Sequence, residues 1–209
     1  MSAADDLIER IRSRLLASPQ AAEDIATLAP DWIPEGGFEG PPRDAAVLIA
    51  IVRRGEELSV LYTERSPQLR SHSGQVAFPG GKIDPGDTGP ADAALREANE
   101  EVGLVREEAR ILGYLPAYFT GSNYLITPVV AEVRPSGAFV PNPGEVRTVF
   151  EVPLALISNE AGFGTFRIRR KDVEHTTWQI EHGGMMIWGI TANVTRRFYE
   201  LVLREEASA

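Results

Sequence analysis

Seven of the twelve residues from Pro79 to Pro90 are glycine or proline, and they join a β-prone run ending at Phe78 to a helical pattern starting near Ala91. Chain breakers at that density admit neither strand nor helix, so the region reads as strand, loop, helix. Pro90 suits the first helical turn, where its missing N–H costs no hydrogen bond. From Ala91 to Val102, at 100° per residue, Ala94, Leu95, Ala98 and Val102 make an apolar stripe, and Glu97, Glu100 and Glu101 share the neighbouring arc of about 100°. Carboxylates at i, i+3 and i+4 repel one another by a few tenths of a kcal/mol per pair. Spacing alone leaves two readings: a solvated acidic face, or an all-oxygen site for a hard cation such as Mg²⁺ or Mn²⁺, which neutralises and orients phosphate oxygens.

The rest of the chain is mostly strand-like. Ala45 to Arg53 and Leu58 to Thr63 flank the charged turn Arg54-Gly-Glu-Glu57 and predict a hairpin. Further β-prone runs are Val76 to Phe78, Leu112 to Phe119, Leu125 to Glu132, Val146 to Phe150, Gly164 to Arg170, Thr177 to Glu181 and Met185 to Ile187. A second helix is predicted over Ile190 to Leu203, with Val194, Phe198, Leu201 and Val202 as its buried stripe. Upstream, Leu7, Ile8, Ile11, Leu15 and Leu16 recur at helical spacing; the face carries Asp5, Asp6 and Glu9 and no lysine, which favours core packing over a membrane surface. A short helix near Ala21 to Leu28 and the Gly/Pro-rich stretch Pro34 to Pro42 complete an N-terminal helical arm and linker over residues 1–42, ahead of a main body over 43–209. Strands with one inserted and one closing helix predict an α+β chain, an α/β/α sandwich on a mixed sheet.

Composition removes several function classes. With 30 Asp and Glu against 21 Lys and Arg the net charge is -9, so non-specific binding to nucleic acid or an anionic membrane is disfavoured. There is no cysteine, which excludes disulfides, thiol catalysis and Cys-ligated zinc. The first ten residues are acidic and lack the apolar stretch of a secretory signal, and the longest apolar run, Ala45 to Val52, is far short of the ~20 residues of a membrane span. The expectation is a soluble, cytoplasmic protein with a small-molecule substrate, no nucleic-acid or membrane partner, and self-association into a homodimer left open. His72, His175 and His182 lack metal-ligand pairing, and Ser73-Gly74 is not a nucleophile elbow. Tyr114, Tyr118, Phe119 and Tyr124 suit a core or a cleft; Trp178 and Trp188 read as packing residues.

Two motifs resemble a known family. Gly81-Lys-Ile-Asp-Pro-Gly-Asp87 followed by Arg96-Glu97-Ala98-Asn99-Glu100-Glu101-Val102-Gly103-Leu104 is similar to the Nudix box, G-x5-E-x7-R-E-U-x-E-E-x-G-U, where U is aliphatic. It departs in two places: Asp87 stands for the usual Glu, and eight residues rather than seven precede Arg96. Immediately upstream, Leu61-Tyr-Thr-Glu-Arg65-Ser-Pro-Gln-Leu-Arg70-Ser-His-Ser-Gly74-Gln-Val-Ala-Phe78-Pro-Gly-Gly81 resembles the signature of the coenzyme A pyrophosphatase branch, L-U-T-x-R-S-x3-R-x3-G-x3-F-P-G-G, and departs only at Tyr62. That branch is similar in tolerating the Asp and the extra residue. The joint match covers residues 61–104, with a weaker likeness in Trp188-Gly-Ile-Thr-Ala192.

The resemblance implies a Nudix α/β/α sandwich over 43–209 and Mg²⁺- or Mn²⁺-dependent hydrolysis of coenzyme A or acyl-coenzyme A to 3',5'-ADP and a 4'-phosphopantetheine. It implies Glu97, Glu100 and Glu101 as metal ligands with the Gly81 carbonyl, and Arg96 as the residue that orients a helix glutamate. The general base is left among Glu97, Glu100 and Glu145, which resembles a loop glutamate of several Nudix enzymes. Gly80, Gly81, Arg65 and Arg70 are expected at the substrate, the arginines because a guanidinium fork suits phosphate; pairing of an arginine with Glu64 is the alternative. Rival functions are hydrolysis of ADP-ribose, NADH or an oxidised nucleotide, and a catalytically silent nucleotide-sensing domain, against which intact Arg96, Glu97, Glu100 and Glu101 speak.

Overall fold

The computed structural model describes residues 2–25, 28–30, 32–68, 74–170 and 173–205. Arg43–Arg54 forms β1, buried at nearly every position from Ala45 to Val52. A strand apolar on both faces belongs at the centre of a sheet covered on both sides. One edge of β1 pairs in parallel with β7 (Tyr124–Val133), from Arg43 opposite Tyr124 to Val52 opposite Val133. Its other edge meets β2 (Glu57–Arg65) only at the hairpin end, Ile51 opposite Val60 to Arg54 opposite Glu57. The opposite edge of β2 runs beside β8 (Val146–Pro153) from Ser59 to Arg65. The opening between β1 and β2 takes in two short strands, β3 (Val76–Ala77) on β2 and β4 (Gly80–Lys82) on β1. With β5 (Ala109–Tyr114) and β6 (Tyr118–Phe119) on β7, these make a mixed eight-stranded sheet. β9 (Gly164–Arg170), β10 (Val173–His182) and β11 (Met185–Trp188) form a separate antiparallel sheet.

In chain order the helices are α1 (Ala3–Ser13), α2 (Ala22–Ile25), α3 (Pro90–Val102), α4 (Leu154–Ile157) and α5 (Gly189–Phe198). α3 begins with Pro90 in its first turn and ends at Gly103, whose φ of +67° is the left-handed cap that glycine adopts without strain. Ala93, Ala94, Ala98 and Val102 pack on Ala46, Leu48, Ala50 and Val52, the alternate residues of β1. Ile49 and Ile51 face the opposite way, into a second core that holds Ile8 and Ile11 of α1, Leu154 of α4 and Phe198 of α5. The architecture is therefore α+β, a mixed sheet between helical layers with the N-terminal helix in contact with the core. α1 is fastened by Asp5 to Arg53 at 2.6 Å, and Arg53, Arg110 and Arg134 converge on Glu132, buried to 2% exposure.

Several sequence expectations shift. The run Leu112 to Phe119 is two strands, interrupted at Leu115–Ala117 where Pro116 offers no N–H to a ladder. β4 lies inside the segment expected to be pure loop, because pairing with β1 imposes strand geometry on glycines that have no preference for it. The predicted helix at Ala21 to Leu28 is the four-residue α2, and residues 26 and 27 lie outside the described ones. α4 had no signal. The closing helix widens to a π turn over Tyr199–Leu203, which rotates the later side chains and leaves Leu201 48% exposed, while Val194, Phe198 and Val202 stay buried.

Candidate active site

β4 presses two glycines into close quarters. Gly80 has a φ of +151°, and a Cβ there would come within 2.4 Å of the Ala46 carbonyl oxygen on the facing strand. At Gly81 a Cβ would fall 2.5 Å from Cδ of Glu97. Gly80 thus lets β4 approach β1, and Gly81 leaves room for the Glu97 carboxylate against the backbone.

Glu101, one helical turn beyond Glu97, is buried to 3% exposure. Its Oε2 accepts the Gly80 N–H at 3.2 Å, and its Oε1 lies 3.9 Å from Nη1 of Arg65. Burial pushes its carboxyl up to about 7, against the opposing pull of the Gly80 N–H and Arg65, and the charges of Glu97 and Glu145 push the same way as burial. The Glu97 carboxyl is also raised: burial outweighs its bond from Arg96, and Glu100 and Glu145 add repulsion. Glu100, on the solvent side of the arc, keeps a side chain 53% exposed.

Asp87 in the box has a structural account. Asp87 takes both arms of Arg96, Nε at 2.9 Å and Nη2 at 3.0 Å, while Arg96 Nη1 donates to Glu97 at 2.9 Å and to Glu100 at 3.4 Å. In the turn that ends at Asp87 the Asp84 N–H donates to its carboxylate at 2.7 Å, and Arg96 with that backbone bond holds the Asp87 carboxyl low. Asp87 thereby positions Arg96, and through it Glu97. Asp87→Ala is expected to lower kcat about 10- to 100-fold through a misaligned Glu97, with a modest fall in melting temperature from the lost bonds to Arg96 and the Asp84 N–H; a wild-type kcat would remove Asp87 from the chain of support.

Glu145 is delivered by the backbone. Its carbonyl accepts the Ser66 N–H at 2.8 Å and its N–H donates to Asn142 at 3.0 Å, which sets the start of β8 beside the end of β2. The fold thus brings Glu97, Glu101 and Glu145 within electrostatic range of one another, with Arg65 facing Glu101. Among the described residues no three acidic or imidazole side chains converge as a closed metal cage; Glu97 and Glu100 both accept from Arg96. The donor chemistry fits a hard divalent cation: clustered carboxylate oxygens, two of them on carboxyls raised by burial, beside the glycine pair of β4.

Arg65 reaches Glu101 rather than Glu64, which pairs with Arg147 at 3.3 Å on the other face of the strand. Arg70 and His72 lie outside the described residues, as does the His175 side chain. His182 lies far from this cluster, lining a cleft of about 1130 Å³ at the hairpin end of β1 and β2, together with Leu7, Arg54, Leu58 and Leu154. Sequence reading missed the backbone anchor Ser66, buried to 3%, and gave no role to Asp87; a carboxylate at a spacing where Arg96 could reach it was the signal for the latter. Among the described residues no helix is long and apolar enough to cross a membrane.

Comparison with known proteins identifies the family. The NUDIX domain family matches residues 42–173. The chain is 41% identical over 154 residues to a protein of Escherichia coli O7:K1, covering 74% of this chain and 80% of that one. It is 40% identical over 154 residues, with the same two shares of 74% and 80%, to one from Klebsiella pneumoniae strain 342; both carry the name uncharacterized Nudix hydrolase NudL. A solved Nudix hydrolase from M. smegmatis, RenU, is 25% identical with a TM-score of 0.48, over 60% of this chain and 80% of that one.

Proposed function

We propose that this chain, which belongs to the Nudix hydrolase family, splits the diphosphate bridge of coenzyme A or an acyl-coenzyme A. The products would be 3',5'-ADP and 4'-phosphopantetheine or its acyl form. The chain is a Nudix hydrolase for a nucleoside diphosphate derivative; the finer assignment is supported by the run Leu61 to Gly81, whose Arg65, Gly80 and Gly81 lie beside the carboxylates.

Nudix hydrolases generally use divalent metal ions. In this reading Glu97, Glu100 and Glu101, with the Gly81 carbonyl, hold Mg²⁺ or Mn²⁺, which when bound supplies positive charge to the non-bridging phosphate oxygens. Arg96 orients Glu97. Gly80 and Gly81 let the backbone approach the diphosphate, and Arg65 and Arg70 face its charge. Water attacks one phosphorus, its proton passes to Glu97, Glu100 or Glu145, and the bridging oxygen leaves with the other phosphate.

Product analysis tests this reading. With Mg²⁺ or Mn²⁺, coenzyme A is expected to give 3',5'-ADP faster than ADP-ribose or NADH is cleaved, and excess EDTA followed by dialysis is expected to abolish turnover. Faster cleavage of ADP-ribose or NADH would overturn the coenzyme A assignment. Activity surviving EDTA would overturn the metal requirement.

A further inference from the structure

We propose that Arg65 is a displaceable countercharge: it balances Glu101 until a divalent cation takes that carboxylate, and is then handed to the diphosphate of the substrate. This deepens the diphosphatase reading above and rests on it. Two arginines border the carboxylates, and their bonding differs. Arg96 is fully engaged, with Nε and Nη2 on Asp87, Nη1 on Glu97 and Glu100, and Nη2 also on the Lys82 carbonyl. Arg65 is not. Its Nη1 is 3.9 Å from Glu101, beyond hydrogen-bond reach, and its Nε is buried without a partner among the described residues. A donor left in that state costs free energy, so its neighbourhood is built for an acceptor that arrives later.

The backbone at Arg65 is fixed while its guanidinium is not. The Arg65 N–H donates to Gln75 at 3.0 Å, its carbonyl accepts the Gly74 N–H at 3.2 Å, and the pairing of β2 with β8 is bulged between Glu64 and Arg65. The extra residue of that shift is Arg147 on β8, so β2 keeps its alternation, and Arg65 turns to Glu101 while Glu64 goes to Arg147. A divalent cation and a guanidinium repel each other on one buried carboxylate, so the first to bind weakens the second. A diphosphate offers the released guanidinium two oxygens at the spacing of its fork.

Mn²⁺ titrated without nucleotide into wild-type, Arg65→Gln and Arg65→Lys protein separates this from a structural role. Arg65→Gln removes the competitor, so Mn²⁺ is expected to bind about three- to tenfold tighter, while the KM for coenzyme A rises at least about tenfold. Arg65→Lys keeps the charge and loses the fork: Mn²⁺ affinity within about twofold of wild type, KM raised several-fold. A side chain that merely supports the fold would weaken both in Arg65→Gln. Unchanged or weaker Mn²⁺ binding in folded Arg65→Gln would overturn the countercharge, and an unchanged KM would overturn the handover. If Arg65→Gln does not fold, the lysine variant decides, with a wild-type KM counting against the proposal. The Mn²⁺ titration involves no substrate, so its result is independent of whether coenzyme A is cleaved; if another diphosphate is the better substrate, the KM is read on that one.

Discussion

Glu101→Gln is expected to fold, to melt higher than wild type at pH 8 without divalent cations, and to lose at least about 100-fold in kcat. The stability arises from burial. The Glu101 carboxyl is raised from 4.5 to about 7, so its contribution is fully present below pH 4.5 and is lost as pH climbs through about 7, where the folded protein must hold a poorly compensated charge. The shift corresponds to an upper value of about 3 kcal/mol, reduced in the variant because Arg65 then loses its facing charge. Glutamine keeps the acceptor for the Gly80 N–H and carries no charge, so the variant escapes this loss. A gain of about 5 °C in melting temperature is expected at pH 8, shrinking toward zero at pH 4. Added Mg²⁺ should stabilise wild type and leave the variant nearly unchanged, closing the gap. Equal melting curves at pH 8, or undiminished turnover at limiting Mg²⁺, would show that Glu101 is not the buried carboxylate that a cation neutralises.

Adding one methyl group to each of two neighbouring glycines should give two different failures. In Gly80→Ala the new Cβ meets backbone, the Ala46 carbonyl at 2.4 Å and Val47 Cα at 2.7 Å, at a φ of +151° that other residues rarely adopt. Neither strand can yield without breaking the β1–β4 pairing, so a loss of about 3 kcal/mol or more in stability is expected. In Gly81→Ala the obstacle is the end of the flexible Glu97 side chain, at 2.5 to 2.6 Å. That carboxylate can swing aside, so the fold should survive with less than about 1 kcal/mol lost. Turnover should nevertheless fall about 100-fold, the scale on which a displacement of about 1 Å is felt in catalysis. Denaturant unfolding and kcat on the two variants test the pair; a stable Gly80→Ala protein, or an active Gly81→Ala one, contradicts the geometry.

Local chemistry made much of this molecule legible in its sequence. Pro90 and Gly103 bracket α3 because one needs no N–H and the other tolerates a left-handed backbone. The spacing of Ala94, Ala98 and Val102 determined which face of α3 is buried, and the continuous apolar run of β1 determined that it is central. The carboxylates Glu97, Glu100 and Glu101 were visible as a group for the same periodic reason. Their differences were not. Glu101 is buried and Glu100 exposed because α3 lies on β4 and β1 at one particular roll, and that roll is decided by packing distant in sequence. The partner of Arg65 could not be read from Glu64 beside it, since the two side chains leave β2 on opposite faces. β4 formed where glycine and proline argued for loop, because a ladder with β1 outweighs weak local preference. Periodicity and chain breakers act over a few residues and so can be read along the chain; burial, charge compensation and the meeting of Glu101 with Arg65 and Glu145 depend on segments dozens of residues apart, and only the tertiary structure decided them.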